Sequence, residues 1–435
     1  MEIQHIGYPA GTKLKIQKDS DDVEWVYCDM VEFEKVAAPL ENPDPSKYLD
    51  ASNYQTLEAA VNAARMSSTY TGVYIPAGEW TMTGQITLYG KALDIVGAGM
   101  WYTKLVPAGS NGSAGFSIQS GTDGTKIREL SAWSKRRNRS DGPEGKFINT
   151  AAGVNHITVD NVWIEHFTCL YWGQNASYNT FTNCRMKNTL ADGINMTNGS
   201  NYNVISNCYA RGTGDDSFAL FSAADAGGSI NTGNAYSNLT AVCVRRAAAF
   251  AIYGGEDNTF KNLYAADTLT YPGLTINSYS FGYQAYGFGS KMTYVDGITM
   301  DRCGGDYWTS VGSDDHINDY QNFGAIWVYS GDKELKNITM SNIDINDPTY
   351  FGIMIQTMYS GSALHTMSNV NFKDITINNP GRYGIKFNIR AEQGQGPVVG
   401  SFNFDNVNVN NPGVQSMYGL SGCPDCTVTK TNCNW

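Results

Sequence analysis

Asparagine returns at one spacing through the middle of this chain. Asn155, Asn179 and Asn203 stand 24 residues apart, and each precedes a short β-type run: His156-Ile157-Thr158, Thr180-Phe181-Thr182 and Val204-Ile205-Ser206. A unit of this length cannot bury an apolar face alone, so it must stack on copies of itself. Asn234 and Asn258 repeat the interval of 24, whereas Asn337, Asn369 and Ser401 are separated by 32, as if later coils carried longer loops. There Ile338-Thr339-Met340, Val370-Asn371-Phe372 and Phe402-Asn403-Phe404 alternate apolar with other residues, so each strand can pair with its equivalent one coil on. The expected fold is all-β, a right-handed parallel β-helix. Each ladder asparagine is expected to bond neighbouring backbone groups and to tolerate the left-handed conformation of a tight turn.

The two ends depart from the repeat. Thr12-Lys13-Leu14-Lys15-Ile16 and Trp25-Val26-Tyr27-Cys28 alternate like hairpin strands around a polar turn, and Pro39, Pro43 and Pro45 form a stiff linker. Residues 1–46 therefore read as a β-strand element, part of a carbohydrate-binding β-sandwich, and 47–435 as the solenoid. Between Tyr54 and Met66, Leu57, Ala60, Val61 and Ala64 share one helical face. Such a helix would cap the first coil, whose interior and backbone edge are otherwise open. In the tail, Cys423 and Cys426, with Cys433 nearby, are the disulfide candidates. Cys184 and Cys208, one coil apart, read as stacked free thiols in the core.

The net charge of −11, without an extended basic patch, opposes nucleic acid and polyuronates as partners. No apolar run approaches the roughly 20 residues of a membrane span, and the first residues resemble no signal peptide, as in a processed or excised segment. A monomer is expected.

Thirteen residues after Asn179 comes Asp192, and thirteen after Asn203 comes Asp216, with Asp215 before it. Adjacent coils lie about 4.8 Å apart, so the two acids would repel, and an apparent pKa of the set should rise. Regular alternation would send Asp215 and Asp216 to opposite faces. Gly212 and Gly214 permit a turn that lets both reach one groove. Stacked carboxyls that cost stability suit either a cation site or acid/base chemistry, in which one carboxyl protonates a leaving oxygen and another drives attack.

Two patterns carry a resemblance. A capping segment ending Val73-Tyr74-Ile75-Pro76-Ala77-Gly78 before coils is similar to the pectate-lyase-like β-helices. Leu190-Ala191-Asp192-Gly193-Ile194-Asn195 and Gly212-Thr213-Gly214-Asp215-Asp216-Ser217 resemble the bacterial α-1,3-glucanases and mycodextranases of glycoside hydrolase family 87, from about residue 50 to the C-terminus. The resemblance implies a secreted enzyme that hydrolyses α-1,3-glucan internally and with inversion, using Asp192, Asp215 and Asp216. By analogy with polygalacturonase-type β-helices, Asp215 is the general acid, while Asp192 and Asp216 activate water; exchange of Asp215 and Asp216 stays open. After the Asp pair there is neither the Gly-His-Gly nor the Arg-Ile-Lys with which polygalacturonases meet a uronate, so a neutral sugar fits better.

Pyranose rings stack on aromatic faces, which makes Trp172, Tyr253, Tyr271, Tyr283, Trp308 and Trp327 candidates for substrate binding. No cofactor is expected for the chemistry. A structural calcium is allowed for at Asp314-Asp315-His316 or Asp225, although neither has calcium-loop spacing. His166, among apolar neighbours, is expected to be partly buried and structural. The competing functions are a polysaccharide lyase, a polygalacturonase-like hydrolase and a non-catalytic glycan-binding β-helix.

Overall fold

The computed structural model describes residues 34–109, 112, 114–306, 322–388 and 395–435. The strand pattern at 12–28, Trp308 and Asp314-Asp315-His316 lie outside the described residues. From Tyr48 onward the chain winds as a parallel β-helix with two long sheets. One coil shows the plan: Val204–Ser206 and Tyr209–Arg211 form two legs of the first sheet, and Phe218–Phe221 belongs to the second. The bend between the legs is left-handed at Asn207, as it is at Asn183, Asn238, Asn262, Asn342 and Asn406. Asparagine suits these corners because its short polar side chain tolerates positive φ better than most.

Stacking in register builds the core. Ile205 pairs with Tyr236, Tyr236 with Phe260 and, further on, Met340 with Phe372 and Phe372 with Phe404. Identical pleat positions superpose, so rings stack: Tyr236 lies 4.2 Å from Phe260 and Phe372 lies 4.6 Å from Phe404. All of these side chains are buried. The cap is the helix Leu57–Met66, shorter at its start than expected because Thr56 caps it through the Ala59 N–H. Leu57, Ala60, Val61 and Ala64 are its buried residues, which closes the open end of the core. At the other end Cys423 and Cys426 form a disulfide, while Cys433, Cys184 and Cys208 are free.

Three expectations are corrected. The first interval is not a coil: Thr158 pairs with Thr180, so this coil has 22 residues and Asn179 stands over Ile157 rather than Asn155. Asn155 instead accepts from the Ser177 N–H at 2.7 Å. The true ladder, Asn179, Asn203, Asn234 and Asn258, is buried and avoids positive φ. The left-handed residues are the preceding Tyr178, Tyr202, Gly233 and Asp257. In the ladder Asn203 Oδ1 accepts from the Asn179 N–H, and Asn234 Oδ1 from both the N–H and side-chain amide of Asn203, at 2.9 to 3.0 Å. Finally, His166 is exposed at a left-handed corner and not packed in the core.

The two sheets face different surroundings. Strands of the first sheet alternate buried with accessible positions, as in Ala235–Val242, so one face meets water. Strands of the second, such as Phe218–Phe221 and Phe250–Tyr253, are buried throughout. Their outer face is overlaid by residues from connections between coils, including Ala223, Ala248 and Ala285.

Candidate active site

The outer face of the second sheet supplies a floor. Trp172, Asn195, Ala219, Ala251, Thr275 and Trp327 are consecutive register partners along the helix axis. Small side chains between two tryptophans leave a trough roughly 24 Å long, five steps of about 4.8 Å. A cavity of about 450 Å³ lies over it.

Asp192 and Asp216 occupy equivalent positions just before the strands Ile194–Thr197 and Phe218–Phe221, which pair in register. The Gly193 N–H donates to Asp216 O at 3.0 Å, tying the two turns together. Asp215 reaches the same side because Gly212 takes φ +65° and Gly214 packs directly on the coil before it; a Cβ at Gly214 would lie 2.6 Å from Leu190 O. The three side chains meet, with one carboxylate oxygen from each lying within 4.8 Å of the others. Among the described residues this is the one group of three metal-ligand-type side chains. Asp225 is exposed and does not line the cavity.

The three acids are held differently. Asp192, 9% exposed, accepts from Asn195 Nδ2 at 3.1 Å. Burial pushes its carboxyl well above the usual range, and the charges of Asp215 and Asp216 push it further. Asp216, 5% exposed, accepts from the Ala248 N–H and the Tyr253 hydroxyl, both at 2.8 Å. Burial, then the charge of Asp215, raises it to about 7 against those two stabilising hydrogen bonds. Asp215 is more open and forms a 2.6 Å ion pair with Arg139. Burial therefore favours a proton on Asp192 and Asp216 near neutrality, beside an Asp215 paired with a cation, so the three carboxyls stand in different electrostatic surroundings.

Trp172, Tyr253, Tyr271, Tyr283 and Trp327 all line the cavity. Tyr283 is 42% exposed and offers an open ring, whereas Trp327 is 7% exposed and stacked on Tyr329. Tyr253 is also buried, with its hydroxyl committed to Asp216. Sequence reasoning missed Phe281, which is 42% exposed and packs edge-on against Tyr253, and Arg139, Lys146 and Arg246. The only sequence signal near Arg139 is the short basic run Lys135-Arg136-Arg137. Nothing in its spacing placed that residue 76 positions away on Asp215.

Residues 48–435 fit the family model described as α-1,3-glucanase catalytic domain D2. The chain is 59% identical to the catalytic domain of a family 87 α-1,3-glucanase solved with tetrasaccharides, with a TM-score of 0.88 over 92% of this chain and 71% of that one. It is 58% identical to a family 87 α-1,3-glucanase catalytic domain solved with nigerose, with a TM-score of 0.87 and the same coverage. The catalytic unit of a thermostable family 87 α-1,3-glucanase from Streptomyces thermodiastaticus strain HF3-3 shares the fold at 22% identity and TM-score 0.76, over 93% of this chain and 71% of that one. No curated protein sequence matches the chain significantly.

Proposed function

The chain belongs to glycoside hydrolase family 87, the α-1,3-glucanases, and from that premise we propose that it cleaves internal bonds of α-1,3-glucan with inversion at the anomeric carbon. The observation that carries the reading is the meeting of Asp192, Asp215 and Asp216 at the edge of an open, aromatic-lined trough. Three solved relatives carry single aspartate-to-alanine substitutions whose positions are separated by 23 and 1, the separations among these three residues. Relatives bind nigerose and tetrasaccharides, and the trough suits a neutral chain of that kind lying along the helix axis.

Asp215 is the general acid in this reading. It is the most accessible of the three, so it can meet a leaving oxygen arriving from the trough. Asp192 and Asp216, held from below by Asn195, Ala248 and Tyr253, activate the attacking water. Tyr271, Tyr283, Trp172 and Trp327 line the path of the sugar rings. The reaction needs no cofactor, since carboxyls supply both acid and base; the enzyme acts outside the cell, as a monomer, on polysaccharide too large to be taken in.

The close approach of the carboxyls favours a second reading, retention, because a pair only about 5 to 5.5 Å apart is the spacing of a nucleophile and acid. Incubation with insoluble α-1,3-glucan, with products followed by chromatography and anomeric proton NMR, separates the two. A β-anomer as first product supports inversion and an α-anomer retention, while no cleavage at all rejects the hydrolase.

A further inference from the structure

Arg139 sits where no acid/base scheme requires a cation. It belongs to the connection between the strands Lys126–Trp133 and Lys146–Thr150, and that connection is pinned on the side of the trough. The Ser140 N–H donates to Thr168 Oγ1, and the Thr168 hydroxyl donates back to Ser140 O at 2.6 Å. Gln85 Nε2 holds Pro143 O and Lys146 O. Gly145 packs so tightly that a Cβ there would lie 2.0 Å from Ser140 O. The guanidinium carried by this anchored loop is 39% exposed and divided between two acids, Nη1 on Asp215 at 2.6 Å and Nε on Asp141 at 2.7 Å.

We infer that Arg139 is a positioning residue that decides which carboxyl of the cluster carries the proton, holding Asp215 as an ion until glucan enters and then withdrawing onto Asp141. The inference rests on the assignment of Asp215 as acid and adds how that acid is loaded. In the empty trough the guanidinium occupies Asp215 Oδ2, while burial favours a proton on Asp192 and Asp216. Burial and the charge of Asp215 favour the neutral form of Asp216. A sugar hydroxyl arriving beside Asp215 competes for its Oδ2, and Asp141 retains the displaced guanidinium. One proton then moves from the Asp216 carboxyl to Asp215. That single transfer creates the acid and leaves Asp216 ionised to draw a proton from water, so the active arrangement forms only around bound substrate. Asp192 and Tyr253 face Asp215 from the coils on either side, and Asp216 adjoins it on its own coil. Lys146, Arg246 and Cys169 also line the cavity. The test must hold these constant.

The decisive measurement is the pH profile of kcat/KM for Arg139→Gln, with Arg139→Lys as the charge-retaining control. Removing the cation takes away the charge beside the Asp215 carboxylate, so the alkaline limb moves to higher pH. Arg139→Lys brings the limb back toward wild type. Limbs that stay in place in a folded Arg139→Gln protein overturn the inference. A shift of the acidic limb instead keeps the control by Arg139 but overturns Asp215 as acid. The same coupling is read without turnover by infrared titration of the protonated-carboxyl band, using the difference from Asp215→Asn to isolate Asp215. Raised protonation of Asp215 in Arg139→Gln is the expected result, and no change rejects the inference even if glucan is never cleaved.

Discussion

Two columns of polar side chains run through the same coils and have opposite energetics. The asparagine ladder at Asn179, Asn203, Asn234 and Asn258 is buried, and each rung hydrogen-bonds the next. Thirteen residues further around, Asp192 and Asp216 also stack one rung apart, but they repel each other and Asp215. The amide is donor and acceptor at once, so each asparagine oxygen takes the N–H of the rung before, and the amides of Asn203, Asn234 and Asn258 find carbonyl acceptors close by. An ionised carboxylate only accepts, and a carboxylate column must find donors elsewhere or keep a proton. Regular stacking therefore stabilises in one place and in the other stores the strain that chemistry uses.

The largest expected effect tests the charged column. Asp215→Asn and Asp216→Asn should each lower kcat on α-1,3-glucan by about 10² to 10⁴, while thermal midpoints stay at or above wild type. An active variant, or an inactive one that melts well below wild type, breaks the contrast. Next comes the amide column: Asn203→Ala strands the Asn179 N–H and Ala176 O, at a cost on the order of 2 to 4 kcal/mol. Urea denaturation should register this loss with activity per folded molecule preserved; a change below about 0.5 kcal/mol would mean the ladder is replaceable.

A smaller effect appears in the pH dependence of stability. The folded-state pKa of Asp216 is raised, from 3.8 to about 7. Its protonated form is thus favoured by folding, and that contribution is complete below pH about 4 and lost as pH rises through about 7. The loss should be on the order of 2 kcal/mol, since the coupled acids share it, and Asp216→Asn should flatten the slope in melting curves from pH 4 to 8. An equal slope in both proteins would place the strain elsewhere. The smallest effect concerns the false rung. Asn155→Ala should cost less than about 1 kcal/mol, because the two bonds lost, from the Ser177 N–H and to Gly153 O, are both at partly or fully exposed positions. Asn179→Ala should cost clearly more, and equal costs would put Asn155 back in the ladder.

Much of this was legible in sequence because a solenoid writes its tertiary contacts as a period. The 24-residue step from Asn179 to Asn203 is also the step from Asp192 to Asp216, and the paired strands confirm both. The helix face Leu57, Ala60, Val61 and Ala64 and the disulfide at Cys423 and Cys426 were readable for the same local reason. The period misled at Asn155, where a coil of 22 residues happened to be preceded by an asparagine at 24. His166 misled too, since a corner turns outward even when its neighbours are apolar.

Sequence alone thus determined the coil, its core columns and the meeting of Asp192 with Asp216, because pairing one rung on is a matter of counting residues. Only the tertiary structure decided how these acids are charged. The donors that fix Asp216 come from Ala248 and Tyr253 on the next coil, and the cation that holds Asp215 comes from a loop 76 residues earlier. Connections between coils vary in length and follow no period, so where their side chains come to rest over the trough is set by folding in three dimensions.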